Sequence, residues 1–144
     1  MAGRTFTYGA RTVSVGANGN CELVAGSKRV RVIEIQFTAN TATAGNYGIG
    51  RPATAGITPT LVQLINQQAQ GKLALAGIAV AWGTPPVNPT AANMLRRFSL
   101  VSQVGATFIW RPEELWLPPA GTLIIANIST PAVGDANWTI EEEV

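Results

Sequence analysis

An all-β fold follows from three observations on the 144-residue sequence. Short β-branched and aromatic runs alternate with a period of two. Clusters of Gly, Pro, Asn and Thr interrupt them. With 15 Gly and 9 Pro spread along the chain, little room is left for long helices.

Residues 5–15, TFTYGARTVSV, read as a first strand with Gly9 as a possible bulge. Ala17-Asn18-Gly19-Asn20 is a turn cluster, and its Asn-Gly pair is the strongest short hairpin signal. Residues 28–37, KRVRVIEIQF, give the clearest strand. Val30, Val32, Ile33, Ile35 and Phe37 form its apolar face, with one slip of phase near Val32-Ile33, while Arg29, Arg31, Glu34 and Gln36 oppose them. Residues 38–60 read mainly as a long loop with a short strand from Tyr47 to Gly50. Thr58-Pro59 suits the start of a helical turn over Leu61–Ile65, because Thr caps and Pro fits the first helical position. Residues 66–71 read as loop, and 72–82, KLALAGIAVAW, as a strand ended by Gly83-Thr84-Pro85-Pro86. Strands follow at 94–101, 106–110, 123–128 and 135–140. A Pro-bounded loop holds Leu115, Trp116 and Leu117.

About eight antiparallel strands with little helix predict an antiparallel β-sandwich of the jelly-roll type. The length fits one domain over residues 1–144. The termini complete the expectation: an N-terminal arm over about residues 1–12, and a short acidic tail, Glu141-Glu142-Glu143-Val144.

Composition excludes most chemistry. There is no histidine and one cysteine, Cys21, so neither a Ser–His–Asp triad, a Cys–His pair nor an internal disulfide can form. Glu113-Glu114 read as a solvated loop rather than a catalytic carboxylate pair. The acidic tail could attract a hard cation, but solvation or pairing with Arg is the plainer reading. Gly45–Pro52 is Gly-rich yet lacks the Gly-Lys-Ser/Thr ending of a phosphate loop. The sequence therefore predicts no enzyme, no cofactor and no metal.

Charged residues make up only 12% of the chain, against about 25% in ordinary soluble domains. So neutral a surface predicts partners. Residues 1–72 carry seven Lys/Arg and two Glu, whereas residues 73–144 carry three Arg and six acids. That balance is too weak for a nucleic-acid footprint but suits contacts between subunits. No apolar run approaches the roughly 18–20 residues that span a bilayer, and no signal peptide is visible, so neither membrane nor export is expected.

Candidate interface residues are Arg4, Arg11, Arg51, Arg96, Arg97, Trp116, Glu141, Glu142 and Glu143. Arg96 and Arg97 must face opposite sides of a strand, which turns one of them inward or into an interface. Trp82, Trp110 and Trp138 read as core, and Trp116 as a packing anchor or interface residue.

Two stretches carry a resemblance. They are Tyr47-Gly48-Ile49-Gly50-Arg51-Pro52-Ala53-Thr54-Ala55-Gly56-Ile57-Thr58-Pro59, and the run from Leu95-Arg96-Arg97-Phe98-Ser99-Leu100 through Gly105–Trp110 to Leu117-Pro118-Pro119-Ala120-Gly121. They resemble a family of small virion structural proteins of tailed bacteriophages. The closing Pro-Ala-Gly turn, apolar strand and Trp-containing strand look like jelly-roll decoration (cement) proteins. The resemblance implies a protein made in the bacterial cytoplasm and placed on the capsid surface. There it would bind the major capsid protein and its own copies, as a homodimer or homotrimer. A tail, neck or fibre-base component is the alternative setting, and a carbohydrate-binding module the alternative class.

Overall fold

The computed structural model describes residues 4–12, 19–40, 44–67, 71–129 and 133–143. Among these residues eleven strands, rather than about eight, run in chain order. They are β1 (Arg4–Arg11), β2 (Gly19–Val24), β3 (Val30–Ala39), β4 (Gly45–Gly50), β5 (Leu61–Asn66) and β6 (Leu73–Ala79). After a 3-10 turn at Ala91–Asn93 come β7 (Met94–Leu100), β8 (Gly105–Ile109), β9 (Trp116–Leu117), β10 (Thr122–Asn127) and β11 (Gly134–Glu142). All pairings are antiparallel. The order is β7-β4-β10-β2-β6-β5-β1-β11-β3-β8, with β9 added to β3.

This sheet curls until it nearly closes. Strands far apart in the order meet across the core: Phe37 of β3 lies 5.0 Å from Tyr47 of β4, ring centre to ring centre. Phe98 of β7 and Phe108 of β8, from the two ends of the sheet, are 4.9 Å apart. Trp138 of β11 donates its indole N–H to the Cys21 sulfur of β2 at 3.2 Å. Both residues are fully buried, and burial pushes the Cys21 thiol up to about 12.

Local sequence accounts for much of this. In β3, Val30, Val32, Ile35 and Phe37 are buried, and the ladder to β11 shifts between Thr139 and Ile140, opposite Glu34 and Val32. Ile33 is the extra residue, so the slip of phase in the sequence is a β-bulge.

Other expectations are corrected. Gly9 sits in unbroken register opposite Asn137, with no bulge. The Asn18-Gly19 signal does not make a hairpin between its neighbours, because β1 pairs with β11 and β5 while β2 pairs with β10 and β6. Leu61–Ile65 is strand, not helical turn. It finds a ladder on β6 and another on β1, and tertiary pairing overrides a capping signal. Thr58 instead takes a left-handed φ of 52°. The expected arm is likewise strand: Arg4–Arg11 is held between β11 and β5, with Phe6 in the core. Met1 to Gly3 and residues 13–18 lie outside the described residues.

Four ladders, taken together, define the topology. Setting aside the β5–β6 hairpin and β9, the remaining eight strands pair first with last (β1·β11), second with seventh (β2·β10), third with sixth (β3·β8) and fourth with fifth (β4·β7). The β5–β6 hairpin is inserted in the connection between β4 and β7, and it bridges β1 to β2.

Candidate functional site

The C-terminal acids are not a frayed tail. Glu141 and Glu142 lie within β11, and alternation sends them to opposite faces. Glu141 accepts from Arg31 Nη2 at 3.0 Å, and Glu143, just past the strand, pairs with Arg29 at 2.9 Å. Arg29 also lies over the Trp116 ring, 4.8 Å from its centre, and Arg51 donates to the Trp116 carbonyl at 2.9 Å. With Pro112 and Glu113, Arg29, Arg31, Trp116, Glu141 and Glu143 line an open cleft of about 300 Å³, and Arg51 joins it only through the Trp116 carbonyl. Trp116, Arg51, Glu141 and Glu143 thus come together. Arg29 beside Glu143 holds that carboxyl below its usual range.

Glu142 faces the other way and is buried. Its carboxylate accepts the backbone N–H of Leu75 (2.9 and 3.1 Å to its two oxygens) and of Ala76 (2.9 Å). It thereby stands in for a strand on a stretch of β6 that precedes its ladder with β2, which begins at Gly77. Arg4 shares a second cleft, of about 330 Å³, with Glu142, Lys28, Leu73 and Leu75.

The other candidates are separate. Arg11 makes a two-point ion pair with Asp135 at 2.6 and 3.0 Å. Arg96 and Arg97 are both exposed, so neither turns into the core. β7 ends the sheet, and Arg96 can fold back along its margin: it lies 5.5 Å from the Trp110 ring centre and donates to its neighbour Leu95's carbonyl at 2.9 Å.

Sequence reasoning missed an exposed aliphatic row. On the β5–β6 hairpin, the small residues Ala74, Ala76 and Ala79 are buried, while Leu61, Ile65, Leu73 and Leu75 point to solvent, 45–54% exposed. Both phases of KLALAGIA are apolar, so alternation alone does not say which one faces out. The only signal was size, with Leu against Ala at alternate positions. Arg29 and Arg31 were also missed as partners, although their spacing matches the spacing of Glu143 and Glu141.

One buried acid lies beneath the long excursions. Segments 51–60 and 81–90 pair through Thr54–Val87 and Ile57–Thr84 bridges. They cover Glu22 of β2, which accepts Trp82 Nε1–H at 2.9 Å and Gly56 N–H at 3.2 Å. Burial pushes the Glu22 carboxyl up, and these two hydrogen bonds only partly oppose it. Trp82 is accordingly a half-buried lid rather than core, while Trp110 and Trp138 are core.

Among the described residues no group of three or more His, Cys, Asp or Glu is placed to hold a metal. No helix among them is long and apolar enough to cross a membrane. The cleft at Trp116 offers paired charges and a covered ring, which suit contact with another protein's polar surface. It holds no nucleophile beside a base.

No protein-family model matches the chain. No curated protein matches it either. Among solved structures it is similar to a chain described under "Bacillus endospore appendages form a novel family of disulfide-linked pili". The identity is 12%, the match covers 100% of this chain and 94% of that one, and the TM-score is 0.22, too low to bear on fold or role.

Proposed function

We propose that this chain is a structural protein of a tailed-bacteriophage particle. In this reading it is a jelly-roll decoration protein that binds the assembled shell of the major capsid protein as a small homo-oligomer. The observation that carries the reading is the outward row Leu61, Ile65, Leu73 and Leu75 on the inserted hairpin. An aliphatic row of this kind on an outer sheet face is unfavourable in water and favourable against a partner surface.

The jelly-roll assignment is supported by the pairing of first strand with last, second with seventh, third with sixth and fourth with fifth, the order of one long antiparallel ribbon rolled up. Binding in place of reaction is supported by how the polar groups are used: the arginines and acids around Trp116 are spent on one another. One face of Trp116 is taken by Arg29, which disfavours the carbohydrate-binding alternative, since stacking on a sugar needs a free ring face. A protein that binds only the assembled shell stabilises it by mass action.

Cryo-electron microscopy of purified particles, with the copies counted, tests the reading. Copies at regular lattice positions over the whole shell are expected, with the β5–β6 hairpin against the capsid. Copies confined to the tail or one vertex would move the protein there, and absence from particles would end the proposal.

A further inference from the structure

Among the described residues the long strand order ends at β7 and at β8, and these two edges are not alike. β7 carries Arg96 and Arg97, both exposed, and Arg96 caps the Leu95 carbonyl with its own guanidinium. Charges on an edge strand are a known guard against unwanted pairing. β8, sequence GATFI, carries no charge and no proline.

The ladder fixes which backbone groups of β8 are free. Trp110 N–H bonds to Ile33 C=O, and Ala39 N–H bonds to Val104 C=O. In an antiparallel ladder the bonded positions alternate, so Ala106 and Phe108 also face β3. Gly105, Thr107 and Ile109 then turn their N–H and C=O groups to the open side, where no strand among the described residues pairs with them. The side chains of Thr107 and Ile109 stand on the exposed face, Ile109 at 66%. The turn into β8 adds exposed Val101 (61%) and Val104 (43%).

We propose that β8 is a self-pairing edge: two copies of this chain join antiparallel through β8 across a two-fold axis at Thr107. The strand is complementary to itself in that register. Thr107 faces the partner's Thr107, a favoured cross-strand pair. Ile109 lies over the partner's Gly105, where no side chain stands. No charge on either strand opposes its own copy, whereas the same arrangement at β7 would set arginines against arginines. An isologous contact of this kind closes at two subunits. The proposal rests on the reading of the chain as an assembling structural protein and gives the dimer its contact.

Sedimentation velocity of the full chain, with charge variants at residue 107, tests it. The unmodified chain is expected to be a dimer. Thr107→Lys and Thr107→Glu alone, each folded by circular dichroism, are expected to be monomers or to dimerise several-fold more weakly. An equal mixture of the two is expected to recover the dimer as a Lys–Glu heterodimer. Directly opposed residues in a bonded pair sit about 5.5 Å apart at Cα, within the range a disulfide spans. Thr107→Cys is therefore expected to cross-link to itself under mild oxidation, with Cys21 buried and silent. Three results would each overturn the proposal: a monomeric unmodified chain, charge variants that remain dimers, or open-ended chains in place of a closed dimer. A monomer that still coats particles would sink this contact and leave the decoration reading intact.

Discussion

The Glu142 carboxylate, near the end of β11, accepts the backbone N–H of Ala76 on β6 at 2.9 Å, and the same group holds Leu75 N–H. A side chain here does the work of a neighbouring strand. Glu142→Ala would leave two backbone donors without their acceptor. A loss on the order of 1–3 kcal/mol is expected, since hydrogen bonds to a charged group and orphaned buried donors both fall in that range. Urea unfolding measures it. Glu142→Gln keeps one acceptor and should cost about 1 kcal/mol. Equal stability of all three proteins would show that the contact contributes nothing.

The buried Glu22 makes stability depend on pH. Its folded-state pKa lies above the usual 4.5, chiefly because burial penalises the charged form. The folded state therefore holds the proton more tightly than the unfolded one. Glu22 contributes most below about pH 4.5, and that contribution is lost as pH rises through the raised folded value. Glu22→Gln carries no such proton. Thermal unfolding of both proteins between pH 4 and pH 8 should show the variant gaining on the parent as pH rises. A constant difference would contradict the assignment.

Deleting residues 1–12 should unfold the domain rather than trim an arm. The cut removes β1 from between β11 and β5 and takes Phe6 from the core. Loss of the near-ultraviolet tryptophan signal is the expected result. A folded, soluble remnant would mean that β5 can pair with β11 directly.

Gly134→Ala should destabilise by about 1–3 kcal/mol, the range for overpacking a filled core. A Cβ at Gly134 would meet the Phe37 ring and lie 2.7 Å from the Thr38 carbonyl. Phe37 in turn packs on Tyr47 and Phe98, so it has little room to withdraw. Denaturant midpoints decide the matter, and an unchanged midpoint would show that the ring can move.

On the proposed function, polar substitution at Leu73 and Leu75 together should leave folding unchanged and abolish binding to the capsid shell. Both side chains are about half exposed, so the fold loses little buried area. A co-sedimentation assay with particles reads the outcome, and retained binding would place the contact elsewhere.

The sequence made strands legible where one face was apolar and the other charged, as in Arg29 to Phe37, including the bulge at Ile33. It failed where the deciding interaction came from far along the chain. Leu61–Ile65 carried a capping signal and became a strand because β1 and β6 flank it. Asn18-Gly19 promised a local hairpin, but both neighbouring strands found remote partners. Of the candidate site, Trp116, Arg51, Glu141 and Glu143 were named from the sequence and do converge, while Arg29 and Arg31 were read only as a polar face. The exposed row on the hairpin was hidden because Leu and Ala count alike in an apolar pattern.

The pairing of first strand with last has a kinetic side. β11 is the last of the eleven strands to leave the ribosome, and it sits between β1, the first, and β3. Thr7 and Trp138, which hydrogen-bond, are 131 positions apart. Contacts this remote require loop closure before any reward, so folding should be slow among domains of this size. Until β11 arrives, β1 and β3 are open edges, with the apolar β5–β6 hairpin beside β1. The nascent chain would then be most prone to mispairing during the last part of its own synthesis.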